Sequence, residues 1–189
     1  MLIVSVLLNF KGDTIKNIYL IRHAKSDWSD GSLSDFERGL SKRGYKDLKA
    51  IGSYMALANI KPDYIMSSAS LRTQITTEGL VEKISYDGSV QYMDELYLTR
   101  PEMILNVLSL QEDKYDSIFL VGHNPSISEL ANTLQSENIS KFPTLGVLSI
   151  KLNIDSWKSI SDAKGELEFF VFPKQFKYYI PKQIRATLD

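Results

Sequence analysis

Two stretches of this chain end in the same way. Ile18-Tyr19-Leu20-Ile21 runs into Arg22-His23, and Ile118-Phe119-Leu120-Val121 runs into Gly122-His123. Each is a continuous apolar run of strand length, the pattern of a strand covered on both faces. Tyr64-Ile65-Met66, ending at Ser67-Ser68, is a third. Between them Tyr45, Leu48, Ile51 and Met55 recur at helical spacing behind Ser41, a good N-cap, and a second helix is expected from about Leu71 to Lys83. Thr99-x-x-Glu102 has the capping-box pattern, with Pro101 in the first turn of a helix to about Leu110. Asn124-Pro125 reads as a cap and a first-turn proline opening a helix to about Leu134. Leu145 to Leu152 and Glu166 to Phe172 read as later strands, paired across the connection from Trp157 to Gly165. Strands alternating with helices in this way predict an α/β fold, a single three-layer domain whose mostly parallel central sheet is flanked by helices.

A chain of 189 residues has room for one sizeable core, and two would be cramped. Twenty-two Lys and Arg against twenty-three Asp and Glu leave a formal net charge of −1. No global field therefore draws the chain to nucleic acid or an acidic membrane, and any anion site must be local. The absence of cysteine excludes disulfides, thiol nucleophiles and thiolate metal sites, and fits a cytoplasmic location. Met1 to Leu8 is apolar, but it lacks a basic flank and falls short of the about 20 residues that span a bilayer, so neither a signal peptide nor a membrane span is expected. Residues 1–16 are read as an N-terminal extension and 17–189 as the domain.

In an open α/β sheet, ligands bind just beyond the C-terminal ends of the strands. The two histidines of the chain, His23 and His123, both fall there. Either alone reads equally well as a surface or hydrogen-bonded core residue, whereas two in matching positions point to a site. Ser67 to Thr73 starts at the same edge and enters a helix, which directs Arg72 into the same space. Arg22 and Arg72 suit an oxyanion there, because a guanidinium fork matches phosphate oxygens bidentately. Ser26 and Asn124 are candidate donors to the same anion, while Asp63, Asp94 and Trp28 suggest only turns or packing. His-Glu-x-x-His spacing is absent and no close carboxylate cluster suggests a magnesium site, so neither a metal nor another cofactor is expected.

These stretches resemble the histidine phosphatase superfamily, whose signature is Arg-His-Gly or Arg-His-Ala after the first strand; here it is Arg22-His23-Ala24. More narrowly, Leu20 to Ser26, Phe36 to Gly44, Ser67-Ser68-Ala69, Arg72-Thr73 and Glu95-Leu96-Tyr97 look like the SixA-type phosphohistidine phosphatases. So do Val121 to Pro125, Phe142-Pro143-Thr144 and Phe172-Pro173-Lys174, and the likeness spans about Ile18 to Lys174. Gly39 departs from it, since relatives commonly carry proline after the arginine.

The resemblance implies a phosphoglycerate-mutase-like fold, without a large lid insertion, in which His23 attacks phosphorus, becomes phosphorylated and is released by water. It makes Arg22, Arg72 and His123 catalytic and substrate-binding groups, Arg38 a pocket-lining arginine and Glu95 the proton donor to the leaving group. The residue types suit that chemistry. A neutral imidazole is a competent nucleophile, and phosphoryl transfer asks the protein mainly for positioning and charge stabilisation. The segment between Lys83 and Thr99 is short for a lid, and an open pocket suits phosphohistidine on another protein; a small phosphorylated molecule is the alternative substrate. A phosphate-binding module without turnover would not need both histidines, and a mutase would have to shield a phosphorylated His23 from water. The expectation is a monomeric, metal-independent phosphatase.

Overall fold

The structure is a computed structural model and describes residues 15–179. Of the expected N-terminal extension, residues 1–14 lie outside that range. The described chain forms six strands, β1 (Lys16–Arg22), β2 (Tyr64–Ser68), β3 (Val90–Met93), β4 (Ser117–Gly122), β5 (Val147–Leu152) and β6 (Gly165–Val171). They build one sheet in the order β3-β2-β4-β1-β5-β6. The first four in that order are mutually parallel, while β5 runs antiparallel to β1 and β6 antiparallel to β5, as expected for the late pair.

Each central strand is buried on both faces, which is why its sequence shows no polar alternation. Ile18 and Leu20 of β1 and Ile118 and Leu120 of β4 face one core; Ile21, Phe119 and Val121 face the other. The first core is closed by α3 (Pro101–Ser109), α4 (Ser126–Leu134) and Trp157, the second by α1 (Lys42–Leu57), α2 (Leu71–Ile84) and Phe176 of α5 (Pro173–Tyr179). The result is the three-layer arrangement predicted. Strand β3 was not predicted: Val90-Gln91-Tyr92-Met93 is a partly exposed edge strand and carries no apolar run.

Local signals fared unevenly. Ser41 caps α1 by accepting from the Gly44 amide at 3.1 Å, and Leu48, Ile51 and Met55 form its buried stripe, although Tyr45 is exposed. The capping box at Thr99 does not form. Arg100 occupies the N-cap of α3 without a side-chain bond, and the Thr99 carbonyl is taken instead by the Ser126 hydroxyl. Nor does Asn124 cap α4, since the cap position falls on Pro125, which follows a cis peptide bond.

Two details position the site. The loop after β1 is fastened to the start of α1, where the Ser41 amide and hydroxyl both donate to the Lys25 carbonyl at 2.9 and 3.1 Å. Gly44 lies so close to that carbonyl that a Cβ there would collide with it. At the opposite end of β1, Lys16 is fully buried and donates to the carbonyls of Asp113 and Tyr115 at 2.6 and 3.1 Å and to the Asp116 carboxylate at 2.8 Å. A buried ammonium with all three protons engaged is tolerated, and it locks β1 beside the entry to β4.

Candidate active site

The parallel register of β1 and β4 sets Arg22 opposite Gly122, so His23 and His123 leave neighbouring strands at the same level. Their ring centroids are 5.1 Å apart. The backbone is pinned there: the His23 amide donates to the Gly122 carbonyl at 3.1 Å, and the Leu145 amide is shared between the carbonyls of Arg22 and His23, both at 3.1 Å. Leu145 is fully buried at φ 54°, a left-handed conformation that a leucine holds only where surrounding contacts impose it.

His23 is buried, and its Nδ1 lies 2.7 Å from the Ala24 carbonyl oxygen. A carbonyl can only accept, so Nδ1 carries the proton and the lone pair is on Nε2. Burial, reinforced by the nearby Arg72 and Arg22 charges, pulls its pKa from 6.5 to about 4 against the opposing Ala24 hydrogen bond, so the ring is neutral at pH 7. His123 is held in the complementary way. The Arg72 guanidinium donates to its Nδ1 at 3.3 Å, which leaves Nε2–H to donate to the Ser68 hydroxyl at 2.9 Å. Burial, then the neighbouring His23 and Arg72, lowers its pKa to about 3.

The two arginines flank this pair. Arg72, in the first turn of α2, is buried and donates to the Asp35 backbone carbonyl and, at 2.8 Å, to Asp35 Oδ2. Arg22 donates to the Phe142 carbonyl at 2.8 Å, a carbonyl that also accepts from the Asn124 amide at 3.2 Å. Arg22 Nε is buried with no hydrogen-bond partner, and so is Asn124 Oδ1. An unsatisfied buried donor at a cavity, as Arg22 Nε–H is, is what a bound anion would satisfy, whereas the Asn124 oxygen can only accept. The cavity itself, about 340 Å³, is lined by Arg22, His23, Arg72 and His123, with Asp35, Trp28, Lys25 and Leu98 around them.

Two expected site residues are elsewhere. Glu95 is exposed on the short 3-10 turn Asp94–Leu96, which inserts Leu96 into the core and turns the glutamate outward; it does not line the cavity. Arg38 does not line the cavity either, its guanidinium lying 4.2 Å over the Trp28 ring and 3.3 Å from the Leu33 carbonyl. Conversely, three features of the site were not anticipated, two residues on the cavity lining and one packed behind them. Trp28, 62% exposed, forms part of the rim and donates to the Ser26 hydroxyl at 3.0 Å. Asp35 is the carboxylate of the site. Tyr97 donates its hydroxyl to Asp35 Oδ2 at 2.7 Å while its ring stands edge-on to His123 at 5.5 Å. Asp35 directly precedes the Phe36 to Gly44 block and Tyr97 closes Glu95-Leu96-Tyr97, so both lay beside segments already singled out. Among the described residues, no group of three or more His, Asp or Glu side chains is placed to hold a metal ion. No helix among them is long and apolar enough to cross a membrane.

The fold and this cavity define a class: an α/β protein with two neutral histidines and two arginines at the C-terminal edge of a parallel sheet. Residues 18–97 match the model of the histidine phosphatase superfamily, branch 1. A structure from Agrobacterium tumefaciens, provisionally assigned as the phosphohistidine phosphatase SixA, aligns at a TM-score of 0.72 with 28% identity, over 82% of this chain and 97% of that one. The protein histidine phosphatase SixA in complex with tungstate shares the fold at a TM-score of 0.73 and 18% identity, over 85% and 99% of the two chains. An uncharacterized protein of Mycobacterium tuberculosis is 27% identical over 164 residues, 82% of this chain and 100% of its own length. Over residues 18–97 the chain is similar to the histidine phosphatase superfamily, and its six-stranded domain has the phosphoglycerate-mutase-like fold of the SixA structures. That similarity supports phosphatase activity.

Proposed function

We propose that this chain is a phosphatase that passes the phosphoryl group of its substrate to Nε2 of His23 and then to water, and that the substrate is phosphohistidine carried by another protein. The observation that carries the reading is the commitment of His23 Nδ1–H to the Ala24 carbonyl, which presents a neutral ring with its lone pair on Nε2 inside an arginine-flanked cavity. In the first step the Nε2–P bond forms as the bond from phosphorus to the leaving group breaks with its electron pair. Nδ1 keeps its proton against Ala24 throughout. Water then forms the new O–P bond, and the P–Nε2 electron pair returns to the imidazole. Arg22 and Arg72 stabilise the equatorial oxygens, with the neutral His123 ring beside them held by Arg72 on Nδ1 and by Ser68 on Nε2–H. Phosphohistidine fits a site over which the described residues place no lid, and it brings a leaving imidazole that departs neutral once protonated.

The test is rapid quenching without acid, followed by mass spectrometry of the protein during turnover of an aryl phosphate. Phosphate on His23, with turnover abolished in His23→Ala, is the expected result; phosphate on a serine, or near wild-type turnover of that variant, overturns the reading. Phosphohistidine proteins run beside small phosphate esters decide the substrate class, and an ester turned over far faster than any phosphohistidine would place the chain among the small-molecule phosphatases.

A further inference from the structure

Asp35 is the carboxylate on the cavity wall, and nothing in the transfer described above uses it. Its Oδ2 is doubly held, accepting from Tyr97 at 2.7 Å and from Arg72 at 2.8 Å. Arg72 in turn reaches His123 Nδ1, so one guanidinium links the carboxylate to the histidine pair. The other carboxylate oxygen, Oδ1, has no hydrogen bond within the described protein, on a side chain 41% exposed in a wall shared with His23. A side chain needed only to anchor Arg72 is satisfied through Oδ2 and its own backbone carbonyl. The remaining oxygen is an open acceptor on a carboxylate that lines the same cavity as the His23 ring.

We infer that Asp35 is the general base for the second step, taking the proton of the water that attacks phosphorus on His23, with Tyr97 and Arg72 holding the carboxylate in place. The inference rests on His23 being the phosphorylated group. In that step the water oxygen bonds to phosphorus, one water proton passes to Asp35, and the P–Nε2 bond breaks with its electrons returning to nitrogen. The products are hydrogen phosphate, neutral His23 and a protonated Asp35, which then releases its proton to solvent. The Tyr97 hydrogen bond first, and the Arg72 charge with it, hold the Asp35 carboxyl below the usual range, so it meets the water ionised at neutral pH. An ionised carboxylate has no proton to give in the first step. The enzyme is then confined to leaving groups that depart without one, such as a protonated imidazole or an aryl oxide, which agrees with Glu95 standing outside the cavity.

Asp35→Asn keeps the shape and the Tyr97 contact but cannot take a proton. With an aryl phosphate it should release about one equivalent of leaving group per site in a burst at close to the wild-type rate. Steady-state turnover should then fall roughly 10²-fold or more, the scale of lost general base catalysis, as phosphorylated His23 accumulates. Tyr97→Phe, which keeps the carboxylate and loosens it, should slow the same step to a smaller extent. A burst and a steady state that fall by the same factor would mean Asp35 merely holds Arg72, and turnover within about threefold of wild type would mean it does nothing; either overturns the inference. Phosphate trapped on a residue other than His23 overturns it too, and separates that failure from the others by locating it in the nucleophile.

Discussion

Two buried neutral histidines make this protein sensitive to mild acid in a way that can be calculated. The unfolded chain binds a proton at each with a pKa near 6.5, whereas the folded chain resists until about pH 4 at His23 and about pH 3 at His123. The unfolded state therefore binds more protons in this window, and stability falls as pH drops below about 6.5. Lowering the pH from 7 to 5 costs each histidine about 2 kcal/mol at 1.36 kcal/mol per unit, and the pair about 3–4 kcal/mol, a large part of the 5–15 kcal/mol that a domain has. The acids whose pKa values are lowered in the fold, Asp35 among them, act in the same direction but mainly below about pH 5, where unfolded carboxylates begin to protonate. Urea unfolding at pH 7, 6 and 5, at fixed ionic strength, measures the loss directly. The double variant His23→Gln, His123→Gln should lose less than half as much over the same interval, whatever its stability at pH 7. A wild-type loss under about 1 kcal/mol, or an equal loss in the double variant, would refute the claim that these rings are held neutral by burial.

The parts of this molecule that were legible in advance are those written as local apolar pattern. β1, β2 and β4 are unbroken hydrophobic runs because both faces of each are covered, and the residues that end them had to lie at the sheet edge. That reasoning alone brought Arg22, His23, Arg72 and His123 together. The resemblance supplied Arg38 and Glu95, and there the carry-over from motif to cavity failed. Arg38 is drawn aside by the Trp28 ring, and Glu95 is turned outward by the burial of Leu96. Neither effect is a property of the motif; each depends on a tertiary neighbour. Asp35, Tyr97 and Trp28 escaped for the converse reason, since a loop aspartate, an edge tyrosine and an exposed tryptophan have no periodicity, and only the packing of the 24–41 loop against α2 and the β3–α3 connection gives them a common target. The failed caps at Thr99 and Asn124 show the same limit, because each helix starts one residue later than the local rule places it, with the cap position on Arg100 and Pro125.

Arg72→Ala should lower kcat/KM about 10²- to 10³-fold, the usual loss for one preorganised donor to a transition-state oxyanion, with little change in the urea midpoint, since Asp35 keeps Tyr97 and solvent. Lysine at the same position should recover only part of the rate, because a point charge cannot reach Asp35, His123 and a phosphoryl oxygen with one planar fork. Glu95→Gln tests the placement of proton donation. An alkoxide leaves poorly without a proton, so a true acid at this position would be worth roughly 10²- to 10⁴-fold on an alkyl phosphate and far less on phosphohistidine, whose imidazole arrives protonated. With Glu95 exposed and outside the cavity, the expected outcome is no change in kcat/KM on either substrate. A marked loss confined to the alkyl ester would mean that the Asp94–Leu96 turn swings its glutamate into the cavity when substrate binds, and would return to Glu95 the role that its position here denies it.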